Sequence, residues 1–190
     1  IVTEAGVVVQ MPFLNNTIQT IQEQLARLEA EFHGQAASAA WVGNVDDPTS
    51  ALAREASAAD LIVTSAGFGG GPYNSFSSVD GGDLAIKAGR PILIVPPGVS
   101  ELAADRILVA WKDTREARRS IRDAIPFLKR AQTVTLAGVV EQDAAETGAS
   151  LDRAARFLSR HGIEANVERL ERDHRSSGER ILDAAQRARA

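Results

Sequence analysis

The chain has 190 residues, 44% apolar and 24% charged, enough to bury the core of one large domain or two small ones and too apolar for wholesale disorder. It has no cysteine and only His33, His161 and His174, far apart in sequence, so disulfide scaffolds, thiol nucleophiles and a Cys- or His-ligated metal site are not expected. A net charge of −4 argues against a nucleic-acid partner, and no apolar run approaches the roughly 18–20 residues of a membrane span or follows a basic leader.

Val7–Gln10 is ambiguous, and the first periodic segment is Thr17–His33. There Ile18, Ile21, Leu25, Leu28 and Phe32 share one helical face, and Gly34 follows as a stop. A weak strand fits Ala37–Val42. A helix is expected over Pro48–Ala59, with proline in its first turn. Asp60–Ser65 and Pro91–Pro96 are short apolar, β-branched runs, the second closed by Pro-Pro-Gly. Pro96–Asp105 reads as a linker. Arg106–Trp111 and Thr133–Val140 are again apolar on both faces, the pattern of strands covered on both sides. Between them Ala117–Lys129 places Ile121, Ala124, Ile125 and Leu128 on one side of a helix. Leu151–His161 repeats the pattern and stops at Gly162. Ala165–Leu170 fits a weaker strand, and Ser177–Ala190 a final helix with a serine cap. This alternation predicts an α/β fold, a parallel open sheet with helices on both faces.

The charge is unevenly divided. Residues 1–105 carry 4 basic and 12 acidic side chains, and residues 106–190 carry 17 and 13. The split suggests two units that meet near residue 105. The segments also repeat. The helix end at His33-Gly34 matches that at His161-Gly162, 128 positions later, and Ala51-Leu52 matches Ile181-Leu182 at an offset of 130. Ile1–Glu4 resembles Val139–Gln142. With Ile rather than Met at position 1, the chain reads as a window on a tandem α/β repeat, shortened at both ends. The expected units are 1–97 and 106–190, with 98–105 between them.

Two segments carry the chemistry. In Arg106–Ala131 (RILVAWKDTREARRSIRDAIPFLKRA) a buried strand ends in a polar Lys112-Asp113-Thr114 turn that leads into a helix. Ligands of open α/β sheets bind at such strand ends. The same turn also suits simple helix capping. In Ala59–Pro97 a glycine-dense loop, Gly67–Gly71, separates two apolar strands. Together ILVAWKDTREARRS, DLIV and GRPILIVPPG resemble the universal stress protein family, along nearly the whole chain.

That resemblance implies an adenine-nucleotide α-hydrolase-like fold, a five-stranded parallel sheet in the order 3-2-1-4-5. It further implies a homodimer or packed tandem units, and a cytoplasmic protein of the stress response. Some members bind ATP, with Mg²⁺, and some do not. The family's turn acid contacts the adenine side of ATP, which directs attention to Ala110, Trp111, Lys112, Asp113 and Thr114, and to Val139 at the next strand end. The usual aspartate position directly after the strand is Lys112 here, with Asp113 one later. Family members that bind ATP carry G-x2-G-x9-G-[S/T], whose glycines let amides approach phosphate at a helix N-terminus. Here Gly67, Gly69, Gly70, Gly71 and Gly81 lie in that region. Asp80 stands ten residues after Gly70, and Gly82 rather than Ser or Thr follows Gly81. One consequence drawn from the two shortened units is a composite sheet, built from strands one to three of the second and strands four and five of the first.

Other motifs are absent. Pro72 breaks a G-x-G-x-x-G reading of the glycine run, and no Walker, G-x-S-x-G or H-E-x-x-H motif occurs. Arg115, Arg118, Arg119 and Arg122 form a helical stripe, as do Arg153, Arg156 and Arg160. They read as an anion-binding surface or as solvated helix faces. Asp173-His174 sits in a polar loop without a nucleophile, and Trp111 reads as packing or as stacking. Three functions remain open. One is a stress-response protein that binds ATP, with at most weak hydrolysis and no catalytic residue named. The second is a nucleotide-free scaffold acting through dimerisation and partner contacts. The third, an ATP-consuming enzyme on a related fold, is disfavoured because S-G-G-x-D-S is missing.

Overall fold

The computed structural model describes residues 11–36, 38–65 and 79–190, with the side chains of 11–17 excepted. The chain divides into two compact units, residues 1–94 and 95–190. Ile1–Glu4, Val7–Gln10 and the Gly67–Gly71 loop lie outside the described residues.

The first unit contains α1 (Met11–Gln35), α2 (Pro48–Glu55), a 3-10 turn at Ala56–Ala58, β1 (Ile62–Ser65), α3 (Gly81–Lys87) and β2 (Ile92–Val95). Its β1 and β2 are hydrogen-bonded neighbours. Ala56, Ile62 and Leu84 form a small core, with Leu52, Val79 and Ile92 against it. Asp47 caps α2 by accepting the Ser50 N–H at 2.8 Å, and Asp80 caps α3 through the Asp83 N–H at 2.8 Å. The Thr49 hydroxyl accepts the Asp80 N–H at 3.0 Å, which ties the two helix starts together. Gly34 does not stop α1. Its backbone is helical, not left-handed, and the helix runs on to Gln35. Residues 38–42 form a turn and irregular backbone, not the strand expected there.

The second unit is β3 (Arg106–Ala110), α4 (Arg115–Asp123), α5 (Ile125–Leu128), β4 (Thr133–Val139), α6 (Ala144–Ser159), β5 (Ala165–Leu170) and α7 (Ser177–Ala188). Its sheet is parallel in the order β3-β4-β5, with Ala110 opposite Ala137 and Val139 opposite Leu170. The central β4 is buried on both faces. Val134 and Leu136 enter one core with Ile121, Leu128, Leu151, Leu158 and Ile163. Ala137 enters another with Leu170 and Ala184. Helices thus cover both sides of the strand, whose residues Val134–Gly138 are all buried.

Local chemistry sets the helix ends. Pro126 has no N–H to donate, so the expected helix 117–129 divides into α4 and α5 at Ala124. Gly162, at φ 75°, ends α6: the Ile163 N–H reaches Leu158 O at 3.1 Å and the Gly162 N–H reaches Ser159 O at 2.9 Å. α6 begins at Ala144, seven residues before the predicted start, where the Asp143 carboxylate accepts the Ala145 N–H at 2.7 Å.

The described strands form two sheets rather than one five-stranded sheet. Strand 62–65 pairs with 92–95 and strand 106–110 with 133–139, so these strands do not make the composite sheet. The expected five-stranded order 3-2-1-4-5 is not what the described strands form: they make one two-stranded and one three-stranded sheet.

Leu151 is fully buried between β4 and α4, whereas Leu182 on α7 is 64% exposed. Leu151→Ala is expected to cost about 2–5 kcal/mol through lost contacts and a residual cavity. Leu182→Ala should stay within about 0.5 kcal/mol of the parent chain. Urea unfolding followed by circular dichroism checks both.

Candidate functional site

The site is built where β3 and β4 end. The Trp111 N–H donates to Ala137 O at 2.7 Å, extending the strand pairing by one residue. Its indole Nε1–H donates to the buried Ser150 Oγ at 2.9 Å, which fixes the ring against α6. Gly138 makes this approach feasible. A Cβ there would stand 3.2 Å from both Leu151 Cδ2 and the Trp111 carbonyl oxygen. The next residues turn away from the sheet. Thr114 Oγ1 accepts the Ala117 N–H at 3.2 Å and caps α4, so capping falls to Thr114 and leaves the Asp113 carboxylate for other partners.

Those partners are arginines. Asp113 accepts from Arg118 Nε at 2.6 Å and from Arg153 Nη2 at 3.3 Å. The Arg118 contact, then that of Arg153, holds its carboxyl below the usual aspartate range. Arg153 also reaches Glu146 at 3.2 Å. Lys112 Nζ meets Glu141 at 2.7 Å across the strand ends, and this contact lowers the Glu141 pKa.

A cleft of about 680 Å³ opens at the carboxyl ends of β3 and β4. It brings together Ala110, Trp111, Lys112, Asp113 and Val139 of the residues singled out in the sequence. Thr114 is not in its lining. Gly81 lies in the other unit, as the first residue of α3. Gly67, Gly69, Gly70 and Gly71 are outside the described residues. The cleft also takes Glu141, Asp143, Glu146 and Ser150 from the β4–α6 connection, and Ser177, Gly178 and Ile181 from the start of α7. Sequence reasoning missed these. Asp143-x-x-Glu146 and Ser176-x-x-Glu179 are the helix-start patterns that reveal them.

The lining divides into an apolar part and a charged part. Ala110, Trp111, Val139 and Ile181 supply apolar wall for a flat, uncharged group, and the volume suits one. The charged lining is Lys112 against Asp113, Glu141, Asp143 and Glu146, so the cleft is acidic. The helix starts beside it are already satisfied, α6 by Asp143 and α7 by the reciprocal Ser176–Glu179 capping box. In the first unit the start of the seven-residue α3 is occupied by the Asp80 carboxylate. The described lining therefore joins an apolar wall to a mostly negative rim on which Lys112 is the one cation. Among the described residues, no three His, Cys, Asp or Glu side chains converge on a metal-sized site. Asp173 belongs to an ion network with Arg175 at 2.7 Å and Arg180 at 3.4 Å, which lowers its pKa to about 2. It lies outside the cleft lining.

The overall fold is similar to that of a universal stress protein from Archaeoglobus fulgidus DSM 4304 in its solved structure. The TM-score is 0.68 and the identity 19%, over 97% of this chain and 69% of that one. No protein-family model and no curated protein sequence matches the chain. The chain thus has a universal-stress-protein-like α/β fold with parallel strands. No described helix is long and apolar enough to cross a membrane.

Because the folded Asp113 pKa lies below its ordinary value of 3.8, its ion pairs stabilise the fold above that pH. The contribution is lost as pH falls through the lower folded value. Asp113→Asn is expected to be less stable than the parent near pH 6. The gap should narrow as pH drops below about 4, as read by urea midpoints across that range.

Proposed function

We propose that the chain acts as a universal-stress-type protein that binds an adenine nucleotide as a regulatory ligand, with no catalytic step of its own. The carrying observation is the cleft at the carboxyl ends of β3 and β4, in a fold similar to a universal stress protein structure. In this reading Val139, Ile181 and the Ala110–Lys112 backbone flank the adenine, and Asp113 accepts a hydrogen bond from the adenosine end. Mg²⁺ would travel with the triphosphate and offset the carboxylates around it. Gly67, Gly69, Gly70, Gly71 and Gly81 stay proposed phosphate contacts of the first unit, and Asp80 and Asp83 weigh against them. Two stress-protein-type units, 1–97 and 106–190, a cytoplasmic location and a homodimer or tandem packing belong to the same reading.

The acidic lining favours a second reading. Four carboxylates against one lysine suit a scaffold that works through dimerisation and partner contacts without nucleotide.

Thermal melts by circular dichroism, with Mg-ATP, with adenosine and with neither, separate the two. Ligand at about 100 times its dissociation constant adds roughly 2.7 kcal/mol to the folded state. An upward shift with both ligands is expected, larger for adenosine if the acidic lining repels phosphate. A midpoint that neither ligand moves makes the nucleotide-free scaffold the correct reading.

A further inference from the structure

A second, smaller pocket of about 350 Å³ lies between α4 and α6. Its apolar wall is Trp111, Ile121, Ala154 and Phe157. Ile121 and Ala154 are each only 3% exposed, so the floor of the pocket is the core itself. Trp111 is pinned by its bond to Ser150, which makes that wall rigid. The rim is charged: Arg118 and Arg153 face a single acid, Asp113.

The two guanidinium groups have donors to spare. Arg118 engages Asp113 through Nε, and among the described residues its two terminal nitrogens carry no partner. Arg153 uses one terminal nitrogen for both Asp113 and Glu146. Further along the same helices Arg119, Arg122, Arg156 and Arg160 are exposed and form no ion pair among the described residues. Two arginines against one carboxylate therefore leave the rim net positive over a floor of hydrocarbon.

A fully apolar ligand would leave those donors unused, and a cation would meet two arginines. A small inorganic anion would leave the floor empty. What fits both parts is an amphipathic anion. We infer that this pocket binds a small hydrophobic carboxylate, its tail on Ile121, Ala154 and Phe157 and its head on Arg118 and Arg153. Planar bidentate pairing with a carboxylate is the geometry that guanidinium groups favour. The ligand head competes with Asp113 for the same two arginines. Trp111 and Asp113 border both pockets, but the inference does not rest on the proposed nucleotide function.

The test uses the full chain and octanoate as probe, with the two tryptophan indole N–H signals read by nitrogen-15 NMR. Trp41→Phe assigns the Trp111 signal. Octanoate is expected to shift that signal saturably, while octylammonium and acetate at equal concentration leave it in place. Arg118→Gln with Arg153→Gln, both on the exposed helix surface, should weaken octanoate by about tenfold or more. Asp113→Asn, which removes the competing carboxylate, should tighten it several-fold. Because Trp111 also borders the larger cleft, Ala154→Leu provides the positional control. It fills the smaller pocket alone and should abolish the shift in a chain whose melt remains cooperative. The inference is overturned if octanoate gives no shift, if octylammonium shifts the signal equally, or if the double arginine variant or Ala154→Leu binds octanoate like the parent.

Discussion

β4 is covered by helices on both faces, and that double burial constrains everything around it. Leu136 packs on Leu151 and Leu158 on one side, while Ala137 packs with Leu170 and Ala184 on the other. A strand with two apolar faces has no side left for solvent, so its parallel neighbours and their helices must close around it. Gly138 carries the constraint to the end of the strand. Without a side chain, it lets the Trp111 carbonyl and the Leu151 methyls approach one backbone position from two directions. The larger cleft begins where that close packing stops.

The polarity of the sheet then decides the chemistry. Parallel strands all point their carboxyl ends one way, so the turn after β3 and the starts of α6 and α7 gather at one end. Helix starts want acceptors, and here they receive Asp143, Ser176 and Glu179. Of these caps Asp143 lines the larger cleft, where it joins Asp113, Glu141 and Glu146. On the other side of Asp113 the balance reverses, because α4 and α6 present arginines there. Asp113 lines both cavities and is the boundary between an acidic site and a basic one.

The second unit was largely legible in the sequence because its strands are short apolar or β-branched runs, the central one buried on both faces. Arg106–Trp111, Thr133–Val140 and Ala165–Leu170 emerge as strands within one residue of their predicted ends. Gly162 read correctly as a stop because the chain there needs a left-handed backbone. Gly34, with the same His-Gly dipeptide, did not, since a glycine also tolerates the helix. The first turns of α6 were illegible for a related reason: residues 144–150 carry no large apolar side chain, so periodicity has nothing to count. Only the Asp143 cap marks that start. In the candidate site, Asp113 was visible as a strand-end acid. Its two arginine partners come from positions five and forty residues away, and only the fold brings the second within reach. The pairing of strands across the two units was expected from resemblance and is not what the described strands form.

Asp80 shows how a capping carboxylate changes what the backbone of a helix start can bind. A phosphate at a helix start is held by the free N–H groups of the first turn. At α3 one of those groups, on Asp83, is already donated to the Asp80 carboxylate, and the acceptor carries the same sign as a phosphate. An internal anion sits where an external one would bind. Displacing it requires breaking a 2.8 Å cap bond and bringing two negative groups together, with Asp83 adding a third in the same turn. The Asp83–Lys87 pair at 2.7 Å then compensates the local charge from within the helix. The start of α3 is thus completed by the chain's own carboxylate.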